Sequence, residues 1–111
     1  MLVKLKENFD SIYQSLNGLT IGKIYFVVEI SNERLRVIND KFEPICYPME
    51  MFAVVDNNLG DDWVVSLCSD NEFYLSPKVL SDRYFFEDLF DNKDNSMKIW
   101  RAFLIENKMI T

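Results

Sequence analysis

Histidine is absent from the 111 residues, and that one absence removes a large part of enzyme chemistry. Serine and cysteine nucleophiles usually need an imidazole base, and most zinc sites use imidazole ligands. Glycine occurs only three times, so no glycine-rich loop is available to cradle a phosphate. The two cysteines, Cys46 and Cys68, have neither metal nor redox spacing. No cation adjoins either one in sequence to lower its pKa, and each sits in an apolar, strand-like run. Both are therefore expected as reduced, buried thiols behaving as small hydrophobes. Such sparing cysteine use points to a cytoplasmic setting. No apolar run approaches the roughly 20 residues of a membrane span, and no positive-then-apolar leader opens the chain.

What is present suffices for one core. The chain is 49% hydrophobic and 14% aromatic, and its length fits a single domain, 1–111, able to fold without disulfide or cofactor. Its charge of −6, from 18 acids against 12 bases, repels nucleic-acid phosphates and anionic lipid surfaces. Direct nucleic-acid or membrane binding is thus not expected. The charge favours solubility and, if it is clustered, a basic protein partner.

Hydrophobic spacing divides the chain into three stretches. Leu5, Phe9, Ile12 and Leu16 share one helical face, which predicts a helix over 4–16 ended by Asn17-Gly18. In 21–56 the pattern turns to strands. Ile24–Ile30 is rich in β-branched and aromatic residues. Leu35 and Val37 alternate with Arg34 and Arg36, which predicts a wet face for the arginines. Pro44–Tyr47 and Phe52–Val55 are further strands, separated by one helical turn with Pro48 at its start. Across 63–76, Trp63–Cys68 and Glu72–Leu75 predict a hairpin. From 77 to 108 the period is helical, with helices over Arg83–Phe90 and around Ile99–Leu104, the second with Asp94 or Ser96 near its cap.

The segments Gly22–Glu29, Leu35–Asp40 and Ile45–Val55 together resemble a small SH3-like bacterial barrel: a long first hairpin, a third strand ending in Tyr47-Pro48, one helical turn, and a closing strand after Phe52. Cys46 stands where that pattern usually has a larger aliphatic residue. With Asp61-Asp62-Trp63-Val64 and the Tyr84–Phe90 segment, the whole chain resembles small immunity proteins that neutralise secreted or contact-dependent bacterial toxins. The resemblance implies an α+β, mainly β fold: an SH3-like barrel with an added β-hairpin and packed terminal helices. It also implies a non-enzymatic inhibitor that occludes a toxin domain.

Several constellations bear on that expectation. Asp61-Asp62 and Glu87-Asp88 are paired carboxylates of the residue type used in glycoside hydrolysis, but adjacent residues often point apart and both pairs read as solvated surface. The run Asp56–Asp62 lacks the alternating acids and final glutamate of a calcium loop. No catalytic residue and no metal or cofactor site is therefore assigned. Tyr84, Phe85 and Phe86 are three successive aromatics, and side chains on a helix turn by roughly 100° per residue. At least one ring is expected to leave the core. Charge is uneven: residues 1–55 hold 7 acids and 6 bases, residues 56–111 hold 11 acids and 6 bases. Either this is an ordinary solvated face or an acidic patch that meets a basic partner.

The expected partner surface is accordingly Asp61, Asp62, Trp63, Asp82, Tyr84, Phe85, Phe86, Glu87, Asp88, Asp91 and Asp94, facing a basic toxin domain such as a nuclease. Two other readings compete with it: a nucleic-acid mimic, which requires two rows of acids along one face, and a phage or plasmid structural or adaptor module, which requires self-association. A small enzyme would require a deep pocket with paired carboxylates.

Overall fold

The β-branched, aromatic run of the first hairpin organises the rest of the molecule. It forms Tyr25–Ser31, here β2. The computed structural model describes residues 1–6, 18–67 and 71–110. Among these, β1 (Leu2–Leu5), β3 (Arg34–Ile38), β4 (Pro44–Pro48), β5 (Phe52–Asp56), β6 (Trp63–Leu67) and β7 (Phe73–Pro77) join β2 in one antiparallel sheet. Helices α1 (Phe85–Phe90) and α2 (Asp94–Glu106) complete an α+β, mainly β fold.

The strand path runs β4-β3-β2-β1-β5, and β6 joins through β7. One edge of β2 carries β3. The other is shared: Tyr25 and Phe26 pair with β1, whereas Ile30 and Ser31 pair with β7. The split coincides with an irregularity in β2. Val27 opposes Val37 while Glu29 opposes Arg36, leaving Val28 as an extra residue. Such a bulge bends a strand and increases its twist. Val27 and Val28 are both buried, on opposite sides of the sheet.

Two cores result. Val3, Leu5, Tyr25, Val27, Leu35, Val37, Tyr47, Met51 and Phe52 pack within the curl of the sheet. Val28, Ile38, Leu80, Phe85, Phe86, Trp100, Phe103 and Leu104 pack between its other face and the helices. Pro48 precedes a 3-10 turn, Met49–Met51, which leads directly into β5. A similar Pro77-led turn, Lys78–Leu80, joins β7 to the helical part.

Two sequence expectations change. Lys4 and Leu5 lie in a strand rather than at the start of a helix. Val3 and Leu5 are buried while Lys4 is exposed, a period-two pattern held by β2 and β5 on either side. The remainder of the helix expected over 4–16, from residue 7, lies outside the described residues. The first C-terminal helix begins at Phe85 rather than Arg83, because Asp82 organises a turn there: its Oδ1 accepts from the Tyr84 amide at 3.0 Å and its carbonyl from the Phe85 amide at 3.0 Å. As expected, Asp94 stands beside the cap of α2, at its first position. Lys93 holds the cap position without a side-chain bond, and Ser96 is buried.

Candidate functional site

The hairpin β6–β7 has two unlike faces. Val65 and Leu67 lie opposite Leu75 and Phe73 on one, which leaves Val65, Leu67 and Phe73 exposed. On the other, Val64 and Ser66 lie opposite Ser76 and Tyr74. The second face, the outer side of β2 and β3, and the segment Ser81–Glu87 enclose a groove of about 420 Å³. That lies within the roughly 300–1,000 Å³ usual for ligand clefts.

Glu29 and Arg36 form the base of the groove. Arg36 Nε donates to Glu29 Oε1 at 3.1 Å, and the two side chains are only 19% and 13% exposed. Arg36 Nη1 also donates to the Pro44 carbonyl at 3.0 Å. The guanidinium lies 4.2 Å from the centre of the Phe86 ring. Phe86 is held edge-on against Phe85 and Trp100, at 5.1 Å and 6.5 Å between centroids. Arg36 is therefore fixed by an acid, a carbonyl and an aromatic face, and is not the solvated arginine that strand alternation suggests.

Around the rim, Tyr84 is 52% exposed and Arg83 stacks over its ring at 5.5 Å. The Tyr74 hydroxyl donates to Glu72 Oε2 at 3.3 Å. Glu29, Glu72, Asp82 and Glu87 line the groove against Arg36 and Arg83, so carboxylates outnumber guanidiniums four to two.

The structure gathers only part of the expected surface here. Asp82, Tyr84, Phe86 and Glu87 line the groove. Tyr84 is the ring that leaves the core, whereas Phe85 and Phe86 are both buried in it; Phe86 meets the groove through its contact with Arg36. Of the three candidate rings, Tyr84 is thus the exposed one, and Phe85 lies inside the core. Asp62 and Trp63 line a separate hollow of about 490 Å³ with Phe26, Leu59 and Phe103. The Asp62 carbonyl ties that end of the hairpin to the Lys78 amide at 2.9 Å, and Asp61 is exposed beside it. Asp88, Asp91 and Asp94 line neither hollow: Asp88 is half-buried in α1, Asp91 closes α1 and Asp94 opens α2.

Sequence reading missed Glu29, Ser66, Glu72, Tyr74 and Ser76. The available signal was Glu29, an acid within an otherwise apolar strand, two residues beyond Val27. Cys46 is half-buried and free, and burial pushes its thiol pKa up despite the opposing pull of Arg36. It therefore has the character of an inert thiol. Cys68 lies outside the described residues.

Among the described residues no group of three or more acids or cysteines is placed to hold a metal ion. No helix among them is long and apolar enough to cross a membrane. No protein-family model, curated protein or solved structure matches the chain.

Proposed function

We propose that this chain is a protein-binding inhibitor, an immunity protein whose groove between the β6–β7 hairpin and the Ser81–Glu87 segment receives a basic toxin domain such as a nuclease. The observation that carries the reading is the pairing of an exposed aromatic with an acid-rich cleft on a rigid base. Tyr84 supplies a hot-spot type of contact, and the surrounding carboxylates supply a field that accelerates encounter with a basic surface. The hairpin β2–β3, the Tyr47-Pro48 strand end, the turn Met49–Met51 and the return of β5 beside β1 support the likeness to an SH3-like module. Inhibition is by occlusion, in the cytoplasm, with no chemistry on the toxin.

The test is co-expression with the product of the neighbouring reading frame. Wild type restores growth. Asp82→Lys/Glu87→Lys, shown to be folded by circular dichroism, does not, and it associates more slowly with a weaker salt dependence. A neighbouring frame that encodes no toxic domain overturns the reading, as does full rescue by the double variant.

A further inference from the structure

The Ser76 side chain lines the groove and is 3% exposed, yet no group among the described residues hydrogen-bonds its hydroxyl. A buried hydroxyl without a partner is costly, and native structures rarely keep one without a reason. β-strand alternation sends Ser76 to the same face as Tyr74, away from the apolar side that holds Leu75. The groove thus has a hydroxyl in its wall, is lined also by Glu72 and Asp82, and has Tyr84 exposed at its edge.

We infer that this groove receives an arginine side chain of the protein partner, with Ser76 accepting a hydrogen bond from its guanidinium. The inference rests on the groove being the recognition surface. Three features select arginine. Carboxylates outnumber the resident guanidiniums, so a cation is favoured. Tyr84 offers a planar surface for stacking, a contact that guanidinium makes better than ammonium. The acceptors are spread over several elements, which suits five donors in a planar fork rather than the compact point charge of lysine. Arg36 is already committed to Glu29, Pro44 and Phe86, and does not compete for Ser76. Arg83 does compete for Tyr84, and the incoming group takes its place or uses the opposite face of the ring.

The probes are the blocked amino acids acetyl-arginine amide, acetyl-lysine amide and acetyl-citrulline amide, titrated into the full chain and followed by amide chemical shifts. The arginine compound shifts Tyr74, Ser76 and Tyr84 and saturates. The lysine compound binds at least fivefold more weakly, and uncharged citrulline does not saturate. Ser76→Ala weakens arginine binding at least threefold while its melting temperature stays level or rises, because it removes an unsatisfied hydroxyl. A purely structural Ser76 gives the reverse, a lower melting temperature with unchanged binding, and that result overturns the inference. Equal binding of arginine and lysine overturns it too, as does the absence of saturation by arginine. If these probes fail while Asp82→Lys/Glu87→Lys still abolishes rescue, the arginine assignment falls and the inhibitor reading stands. If the double variant rescues fully, the inhibitor reading itself falls.

Discussion

The two cores are built from different materials. The one inside the curl of the sheet is mostly aliphatic, with three buried rings, Tyr25, Tyr47 and Phe52, and a polar cap over one end. The one under the helices is a chain of rings: Phe85 against Phe86, Phe86 against Trp100, Trp100 stacked on Phe103, and Phe103 against Phe26. Only the second reaches the groove, because Phe86 presents a face to Arg36 at its base. Aliphatic packing is directionless and can be altered locally. Ring contacts have preferred geometries, so displacing one ring moves its neighbours. The inner core supports the fold, while the aromatic core also positions the groove.

Paired substitutions break that comparison most strongly. Trp100→Ala is expected to cost roughly 3–5 kcal/mol and Met51→Ala roughly 2–5 kcal/mol, the usual range for emptying a core site. Trp100 also loses its indole bond to the Phe42 carbonyl, 3.2 Å long. Urea denaturation measures both. The milder pair, Trp100→Phe and Met51→Leu, separates the roles. The first should move the Arg36 Nε proton resonance, which senses the Phe86 ring. The second should leave it in place. An equal response to both would mean that the cores are not distinct in this respect.

A smaller effect is expected at the ion pair. Arg36→Met strands Glu29 in a poorly solvated site and should cost about 3 kcal/mol. The double variant Glu29→Leu/Arg36→Met should recover to within about 1 kcal/mol of wild type, since replacing both partners removes the stranded charge. A double variant as unstable as the single would show that Arg36 acts mainly through Pro44 and Phe86.

Most of the strands were legible because their residues declare a period of two and a β-branched composition. Tyr25–Ser31, Arg34–Ile38, Pro44–Pro48, Phe52–Asp56 and Trp63–Leu67 all lie within two residues of expectation at each end. β1 was not legible. Four residues are too few to establish alternation, and Leu5 also fits a helical spacing with Phe9 and Ile12. The groove was only half legible. Charge density drew attention to Asp82 and Glu87, and three adjacent rings required an exposed one. Ser76, Glu29 and Arg36 enter the site only through tertiary arrangement: a bulge at Val28 and the pairing of β7 with the far half of β2. No local pattern encodes either. Asn39 is the contrary case, a turn residue in sequence whose role is local: its Oδ1 accepts from the Lys41 and Glu43 amides at 2.9 and 3.1 Å.

The smallest expected effect concerns acid, and it belongs to the cap of the inner core. Asp40 accepts from Thr20 Oγ1 at 2.7 Å, Lys23 Nζ at 2.7 Å and the Tyr25 hydroxyl at 2.8 Å. Its amide donates to the Gly18 carbonyl at 2.9 Å, which ties the β3–β4 turn to the segment entering β2. Burial alone would raise the carboxyl pKa, but the Lys23, Thr20 and Tyr25 donors outweigh it and hold Asp40 below the ordinary 3.8. A group depressed on folding contributes stability above its unfolded value, and that contribution disappears as pH falls through the folded value. The gap in unfolding free energy between wild type and Asp40→Asn should therefore be constant from pH 7 to pH 5 and shrink below about pH 3.8. Since Asp40 keeps 29% of its side chain exposed and Lys23 more than half, solvent screening limits the gap to under about 1 kcal/mol. Urea titrations of both proteins between pH 2.5 and 7 measure it. A gap that does not change across that range would show that the three donors do not hold the carboxylate in solution. A narrowing gap with no change in the Arg36 Nε proton signal would show that the cap and the groove respond to different groups.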